Sequence, residues 1–237
     1  MEVPLSPTTG ALRRAMRDDV RDAVLAMLMD GRLAAGTSVS IDQLARDLNV
    51  SQTPVREALV EIEATGLVQR VARRGYQVAP PMNAQQAAEL ADARLIVETV
   101  AARWAARLKE PDLLPQLRAA HRTHEDAAWA VREWDGVTRD RNQLPVTLMP
   151  YFNADWGFHQ TILDHCGNGY LRRMVGGLGA SVQRMRQNVR RGPLDTELAV
   201  AEHARVLAAI EAGDPPAAEA AMRAHIEAVR ERSIADA

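Results

Sequence analysis

Gly213-Asp214-Pro215-Pro216 constrains this chain more than any other short stretch, because it breaks a long helical pattern into two arms of similar length. Residues 195–212 before it and 215–233 after it read as helices, so the pair should fold as an antiparallel hairpin. Residues equidistant from such a turn face each other, and His203 and His225 each lie eleven positions from Asp214. They are expected to meet across the hairpin. Upstream, Asp155 and His159 lie four apart in Asp155-Trp156-Gly157-Phe158-His159, which on a helix stacks both side chains on one face. Three imidazoles and one carboxylate at one point suit a borderline divalent cation: zinc first, or manganese, nickel or iron. Singly, each histidine reads as a core residue that has found a hydrogen-bond partner. Jointly, the symmetry about the turn and the Asp155/His159 pair favour a metal site. His121, His124 and His165 show no such relation and read as surface or boundary residues.

The 237 residues are ample for two domains with cores of their own. A hydrophobic content of 47% with only 4% aromatic residues, dominated by Ala and Leu, favours packed helices over an aromatic-rich β-sandwich, so the fold should be mainly α. The single cysteine, Cys166, excludes an internal disulfide, and no apolar run reaches the roughly 18 residues of a membrane span. The chain therefore reads as soluble and cytoplasmic, with no membrane partner. Residues 1–12, with Pro4, Pro7, Thr8, Thr9 and Gly10, lack a basic-then-apolar export signal and read as a flexible tail. A net charge of −2 carries no basic excess to announce nucleic acid, so any DNA partner has to be argued from a motif.

Such a motif follows the tail. Residues 13–30 place Met16, Val20, Ala23, Val24, Met27 and Leu28 close to a 3.6-residue period, and Gly31 stops the helix. Gly36-Thr37-Ser38 reads as a turn. Residues 40–48 form a short second helix with Ser40 as N-cap and Gln43 at the capping-box position. After Asn49-Val50-Ser51, a third helix opens at the cap-type residue Thr53, with Pro54 in its first turn, and ends near Thr65-Gly66. Two short helices joined this tightly make a helix-turn-helix whose second member can enter the major groove. Residues 67–71 and 76–79 alternate like strands around Ala72-Arg73-Arg74-Gly75, a hairpin tipped with arginine. The first domain, residues 13–80, is thus a winged helix, and residues 81–83 with Pro80 mark a linker.

Leu44-Ala45, then Ser51-Gln52-Thr53-Pro54-Val55-Arg56-Glu57-Ala58-Leu59, Gly66-Leu67-Val68 and Arg73-Arg74-Gly75-Tyr76, in that order, resemble the DNA-binding domain of GntR-type bacterial transcriptional regulators. The resemblance implies that Ser51, Gln52, Thr53 and Arg56 contact phosphates and base edges, with Arg73, Arg74 and Gly75 reaching the minor groove or backbone. Gln52 stands where some members carry arginine, which leaves the base preference open. Taken alone, Arg56 could serve in a salt bridge, and Arg73 and Arg74 could merely keep a hairpin tip soluble. Only the ordered set carries the inference.

In the second domain, residues 84–237, positions Leu90, Ala93, Val97, Val100, Ala101, Trp104 and Leu108 define a long amphipathic helix that Pro111 ends. Arg94 and Glu98 share a face of it and read as an exposed i,i+4 pair. Residues 113–134 form another helix, and 135–150 read as a loop or partly ordered insertion. The ligand helix at 151–165 is broken by Cys166-Gly167-Asn168-Gly169, residues 170–190 resume, and the hairpin completes an antiparallel bundle of about six helices. This half resembles the FCD effector domain of the FadR subfamily, whose metal-binding members carry Asp-x-x-x-His followed by two histidines with the separation of His203 and His225. By that resemblance Asp155, His159, His203 and His225 are the metal ligands. Arg94 and Glu98 align with the family's Arg-x-x-x-Glu and Asn168 with its Gly-Asn, which makes Arg94 and Asn168 the expected effector contacts.

Together the two resemblances imply a ligand-responsive transcriptional regulator, not an enzyme. It would bind a palindromic double-stranded DNA operator as a homodimer and answer to a small carboxylate-type metabolite at its metal site. Two other readings compete: a metal-sensing repressor in which the cation is the signal, and a metal-dependent hydrolase. Against the hydrolase, no further residue stands out as a general base, and the DNA-binding half would have no purpose.

Overall fold

A computed structural model of the chain describes residues 9–29, 31–72, 75–80, 82–133, 148–175, 178–179, 181–182 and 196–235. The expectations for residues 1–8, for Arg73 and Arg74, for the segment 134–147 and for 183–190 lie outside the described residues. The chain divides into two compact units, Met1–Pro80 and Pro81–Ala237.

The first unit contains α1 (Thr9–Met29), β1 (Ser38–Val39), α2 (Ile41–Asp47), α3 (Gln52–Glu63), β2 (Val68–Val71) and β3 (Gly75–Val78). Helix α1 begins at Thr9, inside the stretch expected to be a tail. Ser40 caps α2 by accepting from the Gln43 N–H at 3.2 Å. Gln43 does not close the box, because its amide is turned along the helix to Asp47 and Arg46. The α2–α3 turn is tight because Asn49 adopts φ +52, a left-handed conformation that asparagine tolerates better than most residues. The cap of α3 is Ser51, two residues ahead of the expected Thr53. Helix α3 buries Val55, Ala58, Leu59 and Ile62, an i, i+3, i+4, i+7 stripe, and leaves Gln52, Thr53, Arg56, Glu57 and Val60 on its outer face. Its inner stripe joins Val20, Val24, Leu44, Leu67, Val68 and Val78 in one core. The sheet has the order β1-β3-β2, all antiparallel, so the two-strand wing expected at the C-terminal end carries a third strand. Ser38, read from sequence as part of a turn, instead pairs with Gln77.

The second unit contains α4 (Ala84–Leu108), α5 (Leu113–Glu133), α6 (Leu148–Asp164), α7 (Gly169–Met174), α8 (Thr196–Ala212) and α9 (Pro215–Ala235). A full capping box starts α4: Asn83 Oδ1 accepts from the Gln86 N–H at 2.9 Å, and Gln86 Oε1 accepts from the Asn83 N–H at 3.2 Å. The α8–α9 turn works as its residues require. Gly213 takes φ +64, Asp214 caps α9 by accepting from the Ala217 N–H at 3.0 Å, and Pro215 starts the helix. The helix expected over 170–190 is interrupted at Val175, which caps α7, and residues 178–179 and 181–182 are helical again.

Helix α9 packs along α4 and α8, and α5 packs on α6 and α8. Ala101, Ala102, Ala105 and Ala106 line the inner face of α4, and such small side chains let neighbouring helices approach closely. Leu117, Phe158, Ile162, Val206, Met222 and Ile226 fill the same core, each contributing about 1.5–3 kcal/mol by leaving water. A buried polar cluster is embedded in this apolar frame.

Candidate metal centre and DNA-contact surface

Five helices supply the cluster. Asp155 and His159 come from adjacent turns of α6, His203 from α8 and His225 from α9, all 3% exposed or less. His203 Nε2 lies 3.1 Å from His159 Nε2, and His225 Nε2 lies 3.2 Å from that same atom. Asp155 Oδ1 is 3.8 Å from His203 Nε2. Three of the four residues expected to converge, His159, His203 and His225, therefore form one donor group, while Asp155 approaches it through His203 and groups with His124. Phe158 stacks on His203 with centroids 4.2 Å apart, and Trp156 stacks on His159 at 5.8 Å, which fixes both ring planes.

The opposite edges of two of the rings are held by carboxylates. His159 Nδ1 lies 2.6 Å from Glu98 Oε2, and His225 Nδ1 lies 2.8 Å from Glu202 Oε2. Each carboxylate is gripped at both oxygens by an arginine. Arg94 donates to Glu98 at 2.6 and 3.3 Å, and Arg232 donates to Glu202 at 2.9 and 3.0 Å. The Arg94–Glu98 pair is thus no exposed surface pair: the two side chains are 2% and 1% accessible. Burial by itself raises the Glu98 carboxyl, but Arg94 and His159 outweigh it and hold the group well below the usual carboxylate range. Burial likewise raises Glu202, while His225 and Arg232 bring it down from 4.5 to about 2. Both remain ionised acceptors, and each selects the Nδ1–H tautomer of its histidine.

His124 corrects a second expectation. It is completely buried, not at the surface, with Nδ1 3.0 Å from His203 Nδ1 and Nε2 3.7 Å from Asp155 Oδ1. His121 is also buried, its Nε2 3.3 Å from the Val200 carbonyl oxygen. Asn168 Oδ1 accepts from the N–H groups of Tyr170 and Leu171 at 3.0 and 3.1 Å and caps α7. Glu202 and Arg232 were not singled out from sequence, although Glu202 directly precedes a candidate ligand.

The donor set fits a cation. With Nδ1–H of His159 and His225 given to carboxylates, their Nε2 lone pairs face each other and that of His203 in an apolar interior. Three mutually facing acceptors need a positive charge among them, and spacings of 3.1–3.2 Å match imidazoles sharing an ion at about 2.0–2.1 Å. Burial is the chief cause that pushes His203 well below 6.5 and lowers His225 as well, so both are neutral and ready to ligate at pH 7. The pH dependence follows with a definite sign. An unfolded histidine takes up a proton below about 6.5 and the folded one does not, so stability of the metal-free chain is full above 6.5 and falls as pH drops below it. A second loss begins below 4.5 as Glu202 loses its ion pairs, and it is complete only near pH 2. Urea denaturation midpoints from pH 8 to 4 check this; a midpoint flat between 7 and 5 contradicts it.

In the first unit, Ser51, Gln52, Thr53 and Arg56 lie together, exposed, at the start of α3, and Gly75 is exposed at the start of β3. Gln52 joins the two helices of the motif: its Nε2 donates to Asp42 Oδ1 at 2.5 Å, and its Oε1 accepts from Arg56 at 2.9 Å. Ser51 makes no side-chain capping hydrogen bond, which leaves first-turn N–H groups of α3 open to an anion.

Comparison with known proteins decides the family. The description "Bacterial regulatory proteins, gntR family" matches residues 16–78, and that of the FCD domain matches residues 89–228. The chain belongs to the GntR family of transcriptional regulators and carries an FCD domain. This regulator is 29% identical, over 91% of its own length and 84% of the other's, to an HTH-type transcriptional regulator in an unstable DNA locus of Streptomyces ambofaciens. It is 28% identical to a probable D-xylose utilization operon transcriptional repressor of Paenarthrobacter nicotinovorans, over 91% and 88% of the two chains. Its fold matches the crystal structure of a GntR-type regulator from Rhodococcus sp. RHA1 with a TM-score of 0.72 at 18% identity, covering 93% of this chain and 98% of that one. Among the described residues, no helix is long and apolar enough to cross a membrane.

Proposed function

We propose that this regulator binds a palindromic operator as a homodimer and releases or tightens it in response to a small carboxylate held at a divalent cation, zinc by preference. The convergence of three imidazole Nε2 atoms beside Asp155 carries this reading. His159, His203, His225 and Asp155 would hold the ion, which would supply a positive charge able to attract an anionic ligand.

Charge supports the effector class. Glu98, Glu202 and Asp155 oppose Arg94 and Arg232, so with neutral imidazoles the cluster carries one net negative charge. A divalent cation converts that to one positive charge, which suits a monoanion. Arg94 Nη2 comes within 3.5 Å of His159 Nε2 and places a guanidinium edge beside the ligating atoms. Asn168, whose Oδ1 caps α7, is the second residue of the proposed effector site. Effector binding alters operator affinity only if it favours one arrangement of the two units over another. The reading in which the cation alone is the signal predicts that metal by itself shifts operator affinity.

Operator duplexes selected from a random pool by the full chain provide the test. Titrated in sedimentation, two chains should bind each palindromic duplex, and metal plus a carboxylic acid should change the affinity where metal alone does not. Arg56→Ala should weaken the selected duplex by about 1–3 kcal/mol and leave the thermal transition unchanged, as its side chain is exposed on the outer face of α3. Wild-type affinity in that variant would remove α3 from the base-reading role.

A further inference from the structure

We infer that His124 is a positioning residue of the metal centre: it fixes the tautomer of His203. This rests on the metal-centre reading above and assigns a role to a residue outside the four ligands.

The inference comes from an asymmetry in the cluster. An imidazole that gives one nitrogen to a cation keeps its proton on the other and needs an acceptor there. His159 finds Glu98 and His225 finds Glu202, each carboxylate locked by an arginine. At His203 Nδ1 the neighbour is instead another imidazole, His124 Nδ1, at 3.0 Å. Two ring nitrogens at that distance need one donor and one acceptor. With Nε2 of His203 facing the other two ligands, its Nδ1 carries the proton and donates to His124 Nδ1. His124 is thereby the Nε2–H tautomer, and that N–H faces Asp155 Oδ1 at 3.7 Å.

One neutral side chain on α5 thus orients a ligand on α8 and lies beside a ligand on α6. Its own orientation is set by packing: the ring is fully buried, with the Tyr151 ring at 5.0 Å and the His203 ring at 4.8 Å. A neutral acceptor draws less on the His203 proton than a carboxylate would, so His203 is the weakest base of the three ligands. Its contribution therefore depends most on the partner that orients it.

The test uses the metal-free full chain and zinc in competition with a chromophoric chelator. His124→Phe keeps a ring but has no acceptor, and should lower zinc affinity about 10–100-fold. His124→Asn keeps an oxygen acceptor near the Nδ1 position and should recover most of that loss, while the melting temperature of metal-free His124→Phe stays at or above wild type. A purely packing role predicts the reverse order, with Phe closer to wild type than Asn, and would overturn the inference. Zinc affinity unchanged in His124→Phe would overturn it too. A wild type unable to bind zinc would instead remove the metal centre itself, so the two failures are distinct. The wild-type chain offers an independent check that needs no variant. In zinc-loaded protein with 15N-labelled histidine, His203 should be protonated at Nδ1 and His124 at Nε2, and a His124 protonated at Nδ1 or ligating zinc contradicts the assignment.

Discussion

His203→Ala is expected to lose bound metal and effector response together while still binding the operator. His203 lies against much of the cluster: His159 at 3.1 Å, Asp155 at 3.8 Å, His124 at 3.0 Å and the face of Phe158. Removing it leaves two imidazoles on α6 and α9, with Asp155 no longer bridged to them through a common neighbour. At zinc a hundredfold above its Kd, a single site stabilises the wild type by about 2.7 kcal/mol, and the variant should show none of that gain. Operator binding should persist because α3 is supported by a core built wholly from residues of the first unit. Calorimetry with and without zinc, beside a gel-shift titration, checks both halves of the expectation. A variant that still melts higher in zinc would show that the ion is held elsewhere.

The second large effect concerns Glu98. Glu98→Ala strips a fully buried guanidinium of its counter-charge and His159 of its Nδ1 acceptor at once. Breaking one side of a buried ion pair costs about 3–5 kcal/mol, mostly because the remaining charge has no solvent. Replacing both partners together, as Arg94→Met with Glu98→Leu, should recover much of the metal-free stability, since an apolar pair of similar volume suits this interior. The double variant should nevertheless bind zinc about 10–100-fold more weakly, because His159 still lacks the carboxylate that orients it. Urea denaturation of the metal-free chains separates the terms. A cost under about 1 kcal/mol for Glu98→Ala would mean that Arg94 reaches water, contrary to its burial.

These two residues also show what sequence does and does not reveal. His203 and His225 could be paired from their spacing alone, because a tight turn with Gly213 and Pro215 sets the register between two adjacent helices. Asp155 and His159 needed only the period of one helix. His124 lies on α5, which is not joined to α8 by any short turn, so the contact with His203 spans 79 residues and its register is set by packing. Arg94 and Glu98 look like an ordinary solvent-facing pair in sequence. In the fold they are buried, and a third partner, His159, sixty-five residues beyond Arg94, joins them. The start of α3 is legible in its motif only to within two residues, because both Ser51 and Thr53 are cap-type residues and only the backbone turn at Asn49 separates the choices. Strand β1 is two residues long and owes its existence to β3 rather than to any pattern of its own.

Elemental analysis of the full chain, purified without an affinity tag or nickel resin, addresses the metal centre most directly. One equivalent of a divalent cation per chain, retained through dialysis, removed by a chelator at low pH and restored by added zinc, is the expected result. A chain that carries no metal as isolated and takes up neither zinc, manganese nor nickel would contradict it, leaving the converging histidines as a neutral hydrogen-bonded core and the effector without its anchor.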